Sequence, residues 1–312
     1  MANISLIGFL FSLLAVGFCQ KSECPKPEDI SPCTCKTISI GLHVVCAKFN
    51  SSTSLTKALG SLKHYKVYQV LLHALYIEDT LPDDIFEDIQ IKEIHVEECK
   101  LIFSEPAFSG LESSLNLLNV AQNTKIKSEE RFALATLPKL TELRILSNGV
   151  RRVRDEWLNE KIPNVHTVVL DSNEISLIED NAFSNLASLK IISLAENRIK
   201  IVKRSMFPQP ATQLTRIDLS YNQIETLPGN FFIEMSSLKE VVLSGNEIQS
   251  LEEGTWSEVW SSLRKILLFD NRLECSENIK WIKNYPKPYE LDGKCVSPKT
   301  MFGKSIKEVY NM

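Results

Sequence analysis

The sequence has little glycine and little net charge, and it is not basic. Only 11 of its 312 residues are glycine, which excludes collagen-like repeats and glycine-rich linkers. Hydrophobic residues make up 44% and the formal net charge is −4, which excludes an intrinsically disordered chain. A pI near 5.9 argues against nucleic acid as the main partner, because phosphate binding needs a concentrated positive surface.

Motifs that would signal catalysis or a cofactor are also missing. The chain has no GxSxG, HExxH, P-loop or GxGxxG pattern, and it has no CxxC pair for zinc. Its histidines form no nucleophile–base arrangement, and its acidic residues scatter over the chain. The sequence therefore predicts a protein that is not an enzyme and that uses no cofactor or metal.

Long hydrophobic runs are absent beyond the N-terminus. Residues 4–18 (ISLIGFLFSLLAVGF) form an apolar run without charge that is too short for a comfortable membrane span of about 20 residues. This run predicts a secretory signal peptide over residues 1–19, cleaved near Cys19, with a retained anchor as the alternative. The C-terminus carries no hydrophobic tail, so we expect no GPI anchor and a secreted, extracellular product.

An internal repeat dominates the rest of the chain. Residues 214–224 (LTRIDLSYNQI) align with residues 238–248 (LKEVVLSGNEI), and the template LxxLxLxxNxL recurs at intervals of 24 or 25 residues. Alternate leucines of the template point inward from a short strand. This pattern resembles the extracellular leucine-rich repeat signature. The template starts at Val67, Ile91, Leu115, Leu140, Val165, Leu189, Leu214, Leu238 and Leu263.

The repeats predict an α/β solenoid, a leucine-rich repeat horseshoe with a parallel concave sheet and disulfide-capped ends. We expect an N-terminal cysteine cap over residues 20–66, repeats over 67–270 and a C-terminal cap over 271–312. The 67–270 segment holds nine strand registers, of which the last merges into the C-terminal cap.

Two further positions recur along the array, with asparagine in seven of the nine repeats and an aromatic residue in eight. An asparagine follows the strand, where its amide can satisfy backbone groups of adjacent coils. An aromatic residue lies in the second half, and these rings should stack into a core spine. The predicted asparagine ladder comprises Asn123, Asn148, Asn173, Asn197, Asn222, Asn246 and Asn271. The aromatics are Phe86, Phe108, Phe132, Trp157, Phe183, Phe207, Phe232 and Trp256.

The cysteines cluster near the two ends of the repeat array. Four of them precede the first repeat and allow three pairings. Their resemblance to the N-terminal cap of extracellular leucine-rich repeat proteins implies Cys24–Cys35 and Cys33–Cys46. A similar resemblance at the C-terminal cap makes Cys275–Cys295 the simplest pairing there. The odd residue is Cys99, at an asparagine position. It is interpreted as a buried, inert thiol, with an intermolecular disulfide as the alternative.

The outward strand positions define the candidate binding surface, because solenoids recognise partners with the concave face. Their mixture of apolar and charged side chains suits a protein partner. The candidates are Glu93, His95, Leu117, Asn119, Glu142, Arg144, Thr167, Val169, Ile191, Arg216, Asp218, Tyr221, Glu240, Val242 and Phe269.

Three other surface features remain open. The basic runs at residues 151–154 and 198–204 leave a glycosaminoglycan or another anionic surface as a weaker alternative. Asn50 begins an Asn-Ser-Ser sequon and is a predicted glycan site. The strand positions of His73 and Glu97 adjoin those of His95 and Glu93, so the geometry would allow a metal or pH-sensitive site there. Independent exposed side chains are the simpler interpretation of these four residues.

The segment from Cys24 to Cys35 (CPKPEDISPCTC) resembles a narrower group. It is similar to the arthropod secreted proteins named for the non-catalytic subunit of Oplophorus-luciferin 2-monooxygenase. This resemblance implies an accessory or stabilising role beside a smaller catalytic protein. The alternative is a recognition protein for matrix, cell-surface or microbial ligands.

Overall fold

The protein is described by a computed structural model that covers residues 22–103, 106–121, 125–126, 134–158 and 161–311. The predicted signal peptide, Asn123 and Phe132 lie outside these ranges. None of the helices in the described ranges has the length and apolar character needed to cross a membrane.

Short strands provide most of the regular structure, and each coil of the chain contributes one strand to a common sheet. They are β1 (Thr34–Ile38), β2 (Gly41–Ala47), β3 (Val67–His73), β4 (Tyr76–Leu81), β5 (Ile91–Glu97), β6 (Lys100–Phe103), β7 (Leu117–Ala121), β8 (Lys125–Ile126), β9 (Glu142–Ile145), β10 (Arg152–Val153), β11 (Thr167–Val169), β12 (Leu177–Ile178), β13 (Ile191–Ser193), β14 (Arg216–Asp218), β15 (Glu240–Val242), β16 (Lys265–Leu267), β17 (Leu273–Glu274), β18 (Glu290–Asp292) and β19 (Cys295–Ser297).

Helical elements are few and short. The α-helices are α1 (Pro27–Ile30), α2 (Ser52–Gly60), α3 (Asp155–Leu158) and α4 (Glu253–Trp260), and 3₁₀ turns span Arg204–Met206, Glu277–Asn284 and Ile306–Asn311.

The main sheet has 12 strands in the order β1-β2-β3-β5-β7-β9-β11-β13-β14-β15-β16-β18. Strands β1 and β2 are antiparallel, and every later neighbour in this sheet is parallel. The sheet therefore runs through both predicted caps, which supply β1 and β2 at one end and β18 at the other. This is the predicted α/β solenoid with a parallel concave sheet.

The inward face of the sheet packs on a continuous core. The template leucines are fully buried, as Leu214, Leu219 and Leu243 illustrate. Behind them runs a chain of aromatic contacts in which Phe183 and Phe207 have ring centroids 6.2 Å apart. The chain continues from Phe207 through Phe231, Phe232, Trp256, Trp260 and Trp281 to Tyr285. Rings of neighbouring coils thus stabilise one another, since no single coil can bury its own apolar face.

In the described ranges, a tight turn follows eight strands of the main sheet, one residue before the asparagine position. The residue there has a positive φ in successive coils, a conformation that non-glycine residues adopt at a cost of about 1–2 kcal/mol. The turn residues are Ala74, Glu98, Ser147, Ser172, Glu196, Tyr221, Gly245 and Asp270. The same backbone turn therefore repeats along the solenoid, whichever side chain occupies it.

Disulfides close both ends of the core. Cys24 is bonded to Cys35, Cys33 to Cys46, and Cys275 to Cys295. These are the pairings that the resemblance to capped repeat proteins implied. They link end segments that have a neighbouring coil on one side only.

Candidate functional site

The parallel register aligns the outward side chains of the main sheet in columns, with neighbours about 4.8 Å apart. One column contains Gln69, Glu93, Leu117, Glu142, Thr167, Ile191, Arg216, Glu240, Lys265 and Glu290. The next contains Leu71, His95, Asn119, Arg144, Val169, Ser193, Asp218, Val242, Leu267 and Asp292. These two columns form the concave face, and they bring together candidates that are far apart in sequence.

The N-terminal section of this face is a hydrogen-bonded polar cluster. The Tyr68 hydroxyl donates to Glu93 Oε1 at 2.7 Å, and Gln69 Nε2 lies 3.5 Å from Glu93 Oε2. On the next strand, Asn119 Nδ2 lies 3.2 Å from His95 Nδ1. The hydrogen bond to Glu93 raises the pKa of Tyr68, because the ionised phenol would lie beside a carboxylate.

The middle section consists of β11 and β13, whose positions in the two columns carry no charged side chain. Thr167, Val169 and Ile191 are half-buried there, so each presents part of an apolar or weakly polar surface. Leu117 is also half-buried, but the charged pair Glu142 and Arg144 on β9 separates it from this strip. Such a strip between polar sections has the composition of a protein interface core with a polar rim.

Asp171 lies at the edge of this strip and was not among the predicted site residues. Its Oδ1 accepts hydrogen bonds from Ser193 Oγ at 2.6 Å and from the Ala195 N–H at 2.8 Å. Burial raises the pKa of its carboxyl and outweighs these two bonds, and the negative charges of Asp218 and Glu196 raise it further.

The C-terminal section carries charges that form ion pairs with one another. Arg216 Nη1 lies 2.7 Å from Glu240 Oε2 and its Nη2 lies 2.8 Å from Asp218 Oδ2. Lys265 pairs with Glu290 at 3.0 Å. Burial alone would lower the pKa of Arg216, but its hydrogen bonds to the two carboxylates raise it above the usual value. In the same way, Arg144 is paired with Glu142 further up the sheet.

Two predicted contact residues offer little surface. Val242 is 6% exposed and Asp218 is 9% exposed, because neighbouring side chains in the columns cover them. The face also has two aromatic positions: Tyr221 is 50% exposed, whereas Phe269 is half-buried. The Tyr221 ring lies against Gly245 of the next coil, where an added Cβ would come within 2.5 Å of Tyr221 Cδ1. Packing between coils thus decides which outward positions a partner can reach.

The asparagine ladder stabilises the backbone just after each strand where its side chains are described. In Asn197, Oδ1 accepts the Ile175 N–H of the preceding coil at 3.0 Å, while Nδ2 donates to the Leu170 and Leu194 carbonyls. The same pattern recurs at Asn173, Asn222, Asn246 and Asn271. Each amide therefore joins two coils through backbone groups that would otherwise be buried without partners.

Cys99 takes the asparagine role in its coil. Its sulfur accepts from the Leu75 N–H at 3.5 Å and its thiol donates to the Leu72 carbonyl at 3.4 Å. Burial raises the pKa of this thiol to about 11, and the residue is 2% exposed. These features are those of a structural thiol.

The remaining candidates lie outside the concave face. Asn50 is exposed beside α2 and stays a predicted glycan site. In the second basic run, Arg204 is 5% exposed and donates to the Ile233 carbonyl, so it cannot contribute to a surface patch as predicted. Arg151 and Arg198 both pair with Glu174, which neutralises part of this flank. Within the described ranges, no three His, Cys, Asp or Glu side chains are grouped closely enough to hold a metal.

Comparison with known proteins agrees with this geometry. The model of the leucine-rich repeat family matches residues 163–210 and 212–273. No curated protein matches the chain by sequence.

Solved structures with the same fold include the following two. A chain of the TLR13–ssRNA13 complex is similar with a TM-score of 0.54 and 21% identity, over 82% of this chain and 32% of that one. The present chain thus spans about a third of that protein's length. A chain of the octameric complex of Latrophilin 3, Unc5D and FLRT2 has a TM-score of 0.57 and 19% identity, over 87% of this chain and 90% of that one.

Proposed function

We propose that this chain, a leucine-rich repeat protein with disulfide-bonded ends, is a non-enzymatic scaffold that binds a protein partner on its concave face. The observation that carries the proposal is the uncharged middle strip between two polar sections. Half-buried aliphatic side chains there gain free energy when a partner removes the remaining surface from water. The charged sections on either side supply specificity, because a partner must match their paired charges.

The proposed location is extracellular. Three disulfides in one chain are typical of oxidising compartments and rare in the cytosol. A signal peptide over residues 1–19 and a glycan at Asn50 would follow from this location. The finer proposal is that the protein acts as an accessory or stabilising subunit, as its resemblance to the arthropod group implies.

The accessory role is tested by purifying the protein from its source fluid by size-exclusion chromatography with mass spectrometry across the peak. A smaller protein co-eluting at constant stoichiometry would support an accessory subunit and would identify the partner. Elution alone at the size of a glycosylated monomer would contradict it.

The concave face is tested with two matched variants of the same repeat. Ile191 lies in the middle strip, whereas Ile201 is 68% exposed on the flank that follows the strand. We expect Ile191→Lys to weaken binding of the co-purified partner at least tenfold, because it places a charge in a desolvated contact. Ile201→Lys should change the affinity less than twofold. Equal losses, or a larger loss from Ile201→Lys, would place the interface elsewhere.

A second candidate function is recognition of an anionic matrix, cell-surface or microbial ligand. The observation that favours it is the exposure of Arg152 and Lys200, neither of which forms an ion pair within the described ranges. Heparin is a suitable probe. Salt-dependent binding that is lost in an Arg152→Gln, Lys200→Gln double variant would favour this function over the protein scaffold, and unchanged binding would exclude this flank.

A further inference from the structure

His95 occupies a position between two strands that offer it different partners. It lies on β5, with Glu93 on its own strand and Asn119 directly opposite on β7. Its Nδ1 lies 3.2 Å from Asn119 Nδ2, and its Nε2 lies 3.6 Å from Glu93 Oε2. The side chains of His95 and Glu93 are 20% and 22% exposed, so the contact is partly shielded from water.

Two polar atoms in this cluster lack a hydrogen-bond partner within the described ranges. They are His95 Nε2 and Asn119 Oδ1, and both atoms are buried. The Asn119 amide donates to Nδ1, so Nδ1 carries no proton and the ring is the neutral tautomer with its hydrogen on Nε2. At 3.6 Å, that Nε2–H is too far from Glu93 for a hydrogen bond. The neutral form therefore leaves one donor and one acceptor unused.

A single proton would satisfy both atoms. We propose that His95, Asn119 and Glu93 form a pH-responsive element of the concave face. On acidification, Nδ1 of His95 takes a proton from solvent and the Asn119 amide rotates so that its Oδ1 accepts the new N–H. The Nε2–H of the imidazolium then pairs with Glu93, which needs only a small approach. No covalent bond other than the new N–H forms or breaks.

The surroundings support this assignment. Strand β3 faces the cluster with Tyr68 and His73, and β5 adds Glu97. Strand β7 contributes no charged side chain, and Arg144 on β9 is tied to Glu142. Tyr68 holds Glu93 through Oε1, and the Gln69 amide donates to Oε2 at 3.5 Å. A carboxylate oxygen can accept a second hydrogen bond, so Oε2 can also receive the imidazolium. Histidine is also the side chain whose charge ordinarily changes between pH 5 and 8.

The consequence concerns the binding surface itself. Acidification would convert a neutral ring beside a carboxylate into an internal ion pair and would turn the Asn119 amide around. The N-terminal section would then be less negative. This property goes beyond the proposed partner binding, and it is measurable on the isolated protein.

The first test follows the Asn119 side-chain amide by NMR on the ¹⁵N-labelled full chain between pH 7.5 and 5.5. We expect its two proton resonances to shift together with the His95 ring signals. The shift should be absent in His95→Gln and reduced in Glu93→Gln, and it should persist in the control variant His166→Gln. Stationary Asn119 resonances, or an equal shift in His95→Gln, would overturn the proposal.

The second test is thermal stability, which keeps the proposal testable if the NMR signals overlap. Protonation replaces one hydrogen bond with two in the folded state, so stability relative to His95→Gln should rise as the pH falls. We expect the Tm difference between the two proteins to increase by about 2 °C from pH 7.5 to 5.5. A Tm difference that stays constant or shrinks would contradict the mechanism.

Discussion

Replacing Asn222 with alanine should destabilise the solenoid by about 3 kcal/mol, because this amide joins two coils. Its Oδ1 accepts the Ile199 N–H at 2.9 Å, and its Nδ2 donates to the Leu194 and Leu219 carbonyls at 2.9 and 3.1 Å. Asn222 is 7% exposed, so water cannot take over these contacts.

The magnitude follows from which groups lose their partner. The Ile199 N–H would be left buried and unpaired, at a cost of about 2 kcal/mol. The Leu194 and Leu219 carbonyls would each keep one donor, from Asn197 and Asn246, so losing the second bond should cost about 0.5 kcal/mol each. A loss of about 3 kcal/mol corresponds to a Tm decrease of about 5 °C for a chain of this size.

The assay compares urea unfolding of Asn222→Ala with that of Asn230→Ala, a control at an exposed asparagine on the other side of the coil. The control should change stability by less than about 0.5 kcal/mol. Hydrogen exchange adds a local readout, since the Ile199 amide should lose protection while the Ile248 amide keeps it. If both variants unfold at the same urea concentration, the ladder does not stabilise the coil contacts as inferred here.

Three further predictions concern single positions. Asp171→Asn should stabilise the protein at neutral pH, because ionising a carboxyl whose pKa is raised in the folded state lowers the stability of the protein. The difference in Tm between the variant and the original protein should shrink as the pH falls toward 4. Cys99 should resist N-ethylmaleimide at pH 7.5 until guanidinium unfolds the protein, and rapid native labelling of its peptide would contradict a buried thiol of pKa about 11. Gly245→Ala should lower the free energy of unfolding by about 1–2 kcal/mol, since φ is +68° and the new Cβ meets Tyr221. The control Gly254→Ala, in helix α4, should be neutral or stabilising, and equal stability of the two variants would contradict the clash.

The charge pairs also change how the concave face should be mutated. The sequence by itself presents Arg216 as an independent exposed side chain, for which charge reversal would leave thermal stability nearly unchanged. In the structure it lies between Asp218 and Glu240. Arg216→Glu would therefore place three carboxylates together and lower stability as well as binding. Arg216→Gln removes the charge with less repulsion and is the more informative substitution.

Much of the fold could be predicted because residues close together in sequence specify each repeat. Alternate leucines specify each short strand, and the 24- or 25-residue interval specifies the stacking of coils. The asparagine position could be read for the same reason, since one side chain at a fixed offset serves the same backbone groups in successive coils. The additional strand β18 could not be predicted from the sequence, because its segment departs from the template. It joins the sheet only by pairing with β16 of the preceding coil.

The site was less predictable. The sequence placed Val242 and Ile191 on the same face, but only the neighbouring coils decide that Val242 is covered while Ile191 keeps part of its surface. The role of Asp171 depends on Ser193 and Ala195 of the next coil, and no local pattern marks it. Arg204 looks like part of a basic surface in sequence, yet it is buried against Ile233.

Periodicity along the chain specifies the solenoid, its strand positions and the residues that face outward. The tertiary structure decided which outward residues pair, which are covered and where His95 meets Glu93 and Asn119. Some of these pairs, such as Glu93 and His95, lie two residues apart on one strand. Others join neighbouring coils, whose side chains lie about 24 residues apart in sequence and about 5 Å apart in space.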